Sequence, residues 1–171
     1  IRDGKPVPPK FSYMQKVLKA LNNKRGNKFT EMRMGLTEDL KPCKFEDKYA
    51  WWRGIVDLVI IRDDKAWIID YKTGKNVQTA DKGQLELMAL SVFAHFPDVD
   101  KIHAGLLFTV KKKFIKESYN REQISVLWEQ WRGRHDRMKV AVNTGVWNPH
   151  PSGLCYRHCV VSECIYNGAN R

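Results

Sequence analysis

Gly54-Ile55-Val56-Asp57-Leu58-Val59-Ile60-Ile61-Arg62-Asp63-Asp64-Lys65-Ala66-Trp67-Ile68-Ile69-Asp70-Tyr71-Lys72 is the stretch whose reading decides the fold. Two runs rich in Ile, Val and Trp flank an Asp-Asp pair, the pattern of two strands joined by a tight turn. In a hairpin turning at Asp63-Asp64, Asp57 and Asp70 stand equally far from the turn and fall opposite one another. Directly opposed residues of an antiparallel ladder have Cβ atoms roughly 4.5–5.5 Å apart. Lys72, two residues beyond Asp70, points to the same face. Two carboxylates at that spacing repel unless a cation lies between them, and hard oxygen donors suit Mg²⁺ or Mn²⁺. The stretch predicts a divalent metal site with an ammonium beside it.

The surroundings of the two acids sharpen this reading. Near-continuous apolar strands are buried on both faces, where an uncompensated carboxylate is costly. Lys72 is able to neutralise the pair without metal, so a structural ion-pair cluster is the plain alternative. A metal held by Asp57, Asp70 and the backbone carbonyl of Tyr71 supports phosphodiester hydrolysis, since it polarises a phosphate and acidifies bound water. Lys72 would orient that water or help deprotonate it, and offset charge at the phosphate. Gln84, near the start of the next helix, would contact the water or a phosphate.

Outward from the hairpin, Phe29 to Leu36 reads as a strand, Tyr49 to Ile61 and Ala66 to Tyr71 as the surest strands, and Ile102 to Val110 and Phe114 to Tyr119 as two more. Phe11, Met14, Val17, Leu18 and Leu21 recur at helical spacing. A mostly apolar helix is predicted from about Asp81 to Phe96, after a loop beginning at Thr73-Gly74-Lys75. Asn120 and Gln123 form a capping-box signature before a helix running to about Val142. The Pro-rich segment Ile1 to Lys10 reads as an extended arm, and the segment from Gly145 as irregular. This order predicts an α/β fold with a mixed central sheet flanked by helices. Residues 1–144 are expected to form one core, with 145–171 a cysteine-rich tail packed on it.

A chain of 171 residues with 43% hydrophobic content is long enough for a sizeable core. Thirty Lys and Arg against nineteen Asp and Glu give a net charge of +11, which favours a polyanionic partner. Nucleic acid leads over a membrane surface. No run of about eighteen apolar residues and no signal segment is present, so a soluble, intracellular protein is expected.

Gly54-Ile55-Val56-Asp57, Asp70-Tyr71-Lys72 and Gln84-Leu85-Glu86-Leu87-Met88 follow one another within a fifth of the chain. They resemble the G-x-x-D, D-x-K and Q-x-x-x-Y motifs of the PD-(D/E)XK nuclease superfamily, in its RecB-type exonuclease branch. The resemblance implies a restriction-endonuclease-like core, with Asp57 and Asp70 as metal ligands, Lys72 as catalytic lysine and Gln84 as accessory. It also implies DNA as substrate, in phage or bacterial recombination or repair, with a recombination protein as a possible partner. Met88 stands where the branch usually has tyrosine. The branch also places an acid or histidine on a helix upstream, and Phe11 to Asn22 holds neither. Glu31 is the nearest substitute in the chain; otherwise the missing helix is expected before Ile1.

Cys155, Cys159 and Cys164, with His158 among them, offer soft ligands for Zn²⁺, as does His150, or for a [4Fe-4S] cluster with Cys43 as the upstream ligand. The [4Fe-4S] assignment follows the family resemblance, and three reduced thiols in a packed tail are the alternative. Lys111, Lys112, Lys113, Arg132, Arg134, Arg137 and Lys139 are candidate phosphate contacts, and Trp51, Trp52, Tyr119 and Trp147 candidate stacking partners for unpaired bases. Rival readings are an endonuclease of the same superfamily, a degenerate DNA-binding subunit, and a zinc-stabilised interaction module.

Overall fold

The computed structural model describes residues 4–74, 77 and 81–170. Ile1, Arg2 and Asp3 of the expected arm, and Lys75 of the loop after Gly74, lie outside the described residues. The chain divides into two compact units, 1–129 and 130–171. The first holds a six-stranded mixed sheet with helices packed on it.

Its elements are α1 (Gln15–Asn23), β1 (Asn27–Leu36), β2 (Pro42–Cys43), β3 (Trp52–Arg62), β4 (Lys65–Lys72), α2 (Gly83–His95), β5 (Lys101–Phe108) and β6 (Lys113–Asn120). A 3₁₀ turn, Pro9–Met14, leads into α1, so helical structure starts within the expected arm. The strands lie in the order β2-β1-β3-β4-β5-β6. β4 and β5 are parallel, and the other neighbours antiparallel. The parallel pair requires a crossover, which α2 supplies.

The hairpin forms as its sequence dictates. Arg62 pairs with Lys65 around a two-residue turn in which Asp63 has φ 53°, a left-handed conformation that Asp tolerates better than most residues. Trp52 starts β3 three residues later than Tyr49, because Tyr49 is tied into a preceding turn by its N–H to Asp47 Oδ1 at 2.9 Å. Cys43 lies in β2, paired with Gly35.

Each face of the sheet has its own core. On one, α2 buries Leu85, Met88, Ala89, Val92 and Phe93 against Val56, Val59, Ala66, Ile68, Ile102 and Leu106. The start of α3 (Ile124–Thr144) adds Ile124 and Leu127 to this cluster. Tyr119 is buried in it too, which removes it as a base-stacking candidate. Arg121 fastens the end of α2 by donating to the carbonyls of Phe96, at 2.9 Å, and Val99. On the other face Leu18 and Leu21 of α1 cover Leu58, Ile60, Ile69 and Leu107.

One interruption breaks the period of two. On β3, Val59 faces α2 and Leu58 faces α1, yet Val56 faces α2. On β1, Phe29 and Met32 both pack on the α2 side. The ladder runs from Thr30↔Leu58 directly to Met32↔Val56, stepping over Glu31 and Asp57. Glu31 takes φ 51° there, unusual for a residue with a Cβ.

The second unit contains the rest of α3 and a short helix, α4 (Gly153–Arg157), within the segment expected to be irregular. Ser152 caps α4, its Oγ accepting from Leu154 N at 3.3 Å. Among the described residues, no helix is long and apolar enough to cross a membrane.

Candidate active site

The β3–β4 ladder ends at Leu58↔Ile69, one step before Asp57 and Asp70. The register is the one that the hairpin parity predicts. At the next step Tyr71 N–H donates to Asp57 Oδ2 at 2.7 Å, so a carboxylate replaces a backbone acceptor where the strands part. On the other side of β4, the Lys72 carbonyl accepts from Thr109 N at 2.9 Å. Successive backbone groups of a strand face opposite edges, so the N–H and carbonyl of Tyr71 both face β3 and Asp57.

Asp70 and Lys72 alternate with Ala66 and Ile68 on the α2 side, and Gln84 meets them from the first turn of α2. Gln84 Nε2 donates to Asp70 Oδ1 at 2.8 Å, and Lys72 Nζ donates to Gln84 Oε1 at 2.7 Å. An ion pair of 2.7 Å between Lys72 Nζ and Asp70 Oδ2 closes the ring. The Asp70 side chain is 8% exposed and that of Lys72 33%, so the carboxylate is enclosed while the ammonium reaches toward solvent. Asp70 Oδ2 is fully shielded and makes no aligned hydrogen bond among the described residues, its compensation being the charge of Lys72.

The oxygens at this step of the sheet are the Asp57 and Asp70 carboxylates and the Tyr71 carbonyl, all hard donors. That set fits Mg²⁺ or Mn²⁺ and is a poor match for a soft metal. Glu31 is bracketed by the same ladder positions that bracket Asp57, but its carboxylate and those of Asp57 and Asp70 do not bring three ligand atoms within 4.8 Å of one another. The Tyr71 phenol is pushed up to about 12, first by burial and then by the Asp57 charge.

Other expected residues have different fates. Gly54 is needed because the Trp52 indole lies over it, where a Cβ would come within 2.0 Å of the ring. Trp51 packs edge-on against Trp128 at 4.9 Å. Met88 is buried in the α2 core, at a position that presents no polar group. Lys111, Lys112 and Lys113 are exposed at the β5–β6 turn, and Arg132 and Arg134 are exposed on α3.

The soft-ligand set does not converge. Among the described residues, no three of Cys155, Cys159, Cys164 and His158 bring ligand atoms within 4.8 Å of one another. Cys155 Sγ instead accepts from Ser152 N at 3.5 Å as part of the α4 cap. The Cys43 thiol is pushed up, first by burial and then by Asp47, which disfavours the thiolate a metal would need.

The profile of the PD-(D/E)XK nuclease superfamily matches residues 2–164. No curated protein matches the chain. Among solved structures, the crystal structure of SSO0001 is 18% identical, with a TM-score of 0.37, over 70% of this chain and 54% of its own. The chain therefore spans about half the length of that protein.

Proposed function

Since this chain belongs to the PD-(D/E)XK nuclease superfamily, we propose that it hydrolyses phosphodiester bonds of DNA with a divalent metal held by Asp57, Asp70 and the Tyr71 carbonyl. The closed ring of Asp70, Gln84 and Lys72 carries this reading. It fixes a buried carboxylate and a partly exposed ammonium in one orientation, at the cost of a desolvation that a purely structural strand end would not require.

When bound, the metal would supply polarisation of the phosphate and a more acidic water. The chain's own residues do the rest. Gln84 holds the Asp70 carboxylate through its amide N–H and the Lys72 ammonium through its carbonyl. Lys72, partly open to solvent, faces the phosphate and offsets its charge, and it orients the attacking water. Glu31, at the same step of the sheet, would have to turn toward Asp57 and Asp70 to serve as a third carboxylate. The basic surface, Lys111 to Lys113 included, would bind the DNA backbone without sequence preference.

Within the superfamily, the order of the three motifs favours a RecB-type exonuclease of recombination or repair. A degenerate DNA-binding subunit is the second reading, favoured by Met88 in the core and by α1 lacking any acid or histidine. One assay separates them: linear and covalently closed circular DNA with Mg²⁺ or Mn²⁺, against EDTA and Asp70→Ala. Metal-dependent loss of linear DNA alone is expected. Cutting of closed circles would exclude an exonuclease, and intact DNA of both forms would leave the binding subunit.

A further inference from the structure

The face of the sheet turned away from α2 is covered by α1 only over part of its width. Four rows of side chains cross β4, β5 and β6 on this face. The first is Lys65 and Lys101, and the second Trp67, His103 and Ser118. The third is Ile69, Gly105 and Lys116, and the fourth Tyr71, Leu107 and Phe114. α1 lies over the apolar β3–β4 side, and leaves a pocket of about 250 Å³ lined by Trp67, His103, Phe114, Lys116, Glu117 and Ser118 among others.

The aromatic groups of this pocket are held in place. The Trp67 and His103 rings stack with centroids 5.8 Å apart and planes 22° apart, and Lys24 Nζ lies 3.7 Å from the Trp67 centroid. His103 Nδ1 is 3.2 Å from Ser118 Oγ. Phe114 leans over Gly105, where a Cβ would come within 2.4 Å of its ring, and Lys116 Nζ lies 5.5 Å from the Phe114 centroid. Lysines dominate the surrounding charge, Lys65 among them, which also pairs with Asp64 at 3.5 Å. Lys101, Lys24 and Lys65 all act on His103 and, after burial, lower its affinity for a proton. Glu117, whose backbone borders the pocket, alternates with Ile115 and Tyr119 and turns its carboxylate to the α2 side, where it pairs with Lys82 at 2.6 Å.

We infer that this face binds a segment of single-stranded DNA, with bases against the Trp67–His103 stack and Phe114, and phosphates on Lys24, Lys65, Lys101 and Lys116. Flat rings interleaved with ammonium groups match the two chemistries of a single strand, which an acidic peptide shares only in charge. Trp67 and Asp70 point to opposite faces of β4, so this surface is separate from the metal platform. Only the choice of DNA as the polymer rests on the proposed function.

The test measures fluorescence anisotropy of a labelled oligothymidylate of about sixteen nucleotides in EDTA, where no cleavage interferes. His103→Ala and Phe114→Ala are each expected to weaken binding about tenfold. Lys101→Glu with Lys116→Glu should weaken it further and flatten the salt dependence. An abasic strand of equal length should bind about tenfold more weakly than oligothymidylate. Equal affinity for the abasic strand, equal competition by polyglutamate, or unchanged binding in the three variants would each overturn the inference. Asp70→Ala should bind the strand like the unaltered protein. Loss of cleavage with retained binding, or the reverse, therefore tells a failure of the nuclease reading from a failure of this one.

Discussion

β4 is one strand with two chemistries. Its residues facing α2, Ala66, Ile68, Asp70 and Lys72, end in an acid and a base locked together by Gln84. Those facing away, Lys65, Trp67, Ile69 and Tyr71, form a half-covered surface of rings and cations. The first face confines charge in a shielded place where its orientation is fixed, and the second spreads charge over an open one where many small contacts add. Strand alternation alone separates them, since adjacent residues are forced to opposite sides.

Altering Asp70 separates the two faces of β4 most sharply. In Asp70→Ala, metal-dependent cleavage should fall about a thousandfold, measured by single-turnover kinetics, while binding of single strands is unaffected. Lys72→Ala should lower the rate about a hundredfold. It also leaves the Asp70 carboxylate shielded and uncompensated, at a cost of about 1–3 kcal/mol in urea denaturation. Asp70→Ala should cost less, because the freed ammonium of Lys72 can turn toward solvent and the carboxylate of Asp70 cannot. Mg²⁺ should raise the melting temperature of Lys72→Ala more than that of the unaltered protein, since the cation then replaces a lost charge. Equal shifts would argue against metal binding at Asp70.

The open face is probed by pH. Folded Tyr71 holds its phenol proton to about 12, whereas the unfolded chain releases it near 10, so stability is present below pH 10 and is lost as pH rises toward 12. Tyr71→Phe should reduce that slope in urea midpoints measured across the interval. His103 works in the opposite direction and more weakly. Its folded affinity for a proton lies below the ordinary value of 6.5, so its contribution is present above that pH and declines as pH falls. His103→Gln should flatten the acid limb slightly.

Much of the site was legible in the sequence because it depends on counting. Turn position and strand alternation put Asp70 and Lys72 on one face and Asp57 one step beyond the last ladder pair, and the helical start at Gln84 supplied the third member of the ring. The interruption at Glu31 and Asp57 was not legible, because an extra residue in each of two strands leaves both apolar patterns nearly intact. Tyr119 and Met88 read as surface or motif positions, but which turn of a helix or strand meets a core is decided by packing partners far away in sequence. The cysteines illustrate the converse. Proximity in sequence suggested a shared ligand, and local capping of α4 took Cys155 for another purpose.

The interruption itself behaves like two dislocations of opposite sign. Glu31 shifts β1 by one residue and Asp57 shifts β3 by one, so the pairing on either side, Thr30↔Leu58 and Met32↔Val56, belongs to a single register. A fault that cancels within one step transmits no misalignment to the rest of the sheet. The protein thus carries an irregular, acid-bearing notch at little cost to its scaffold, and evolution can alter the chemistry of that notch without rebuilding the strands around it.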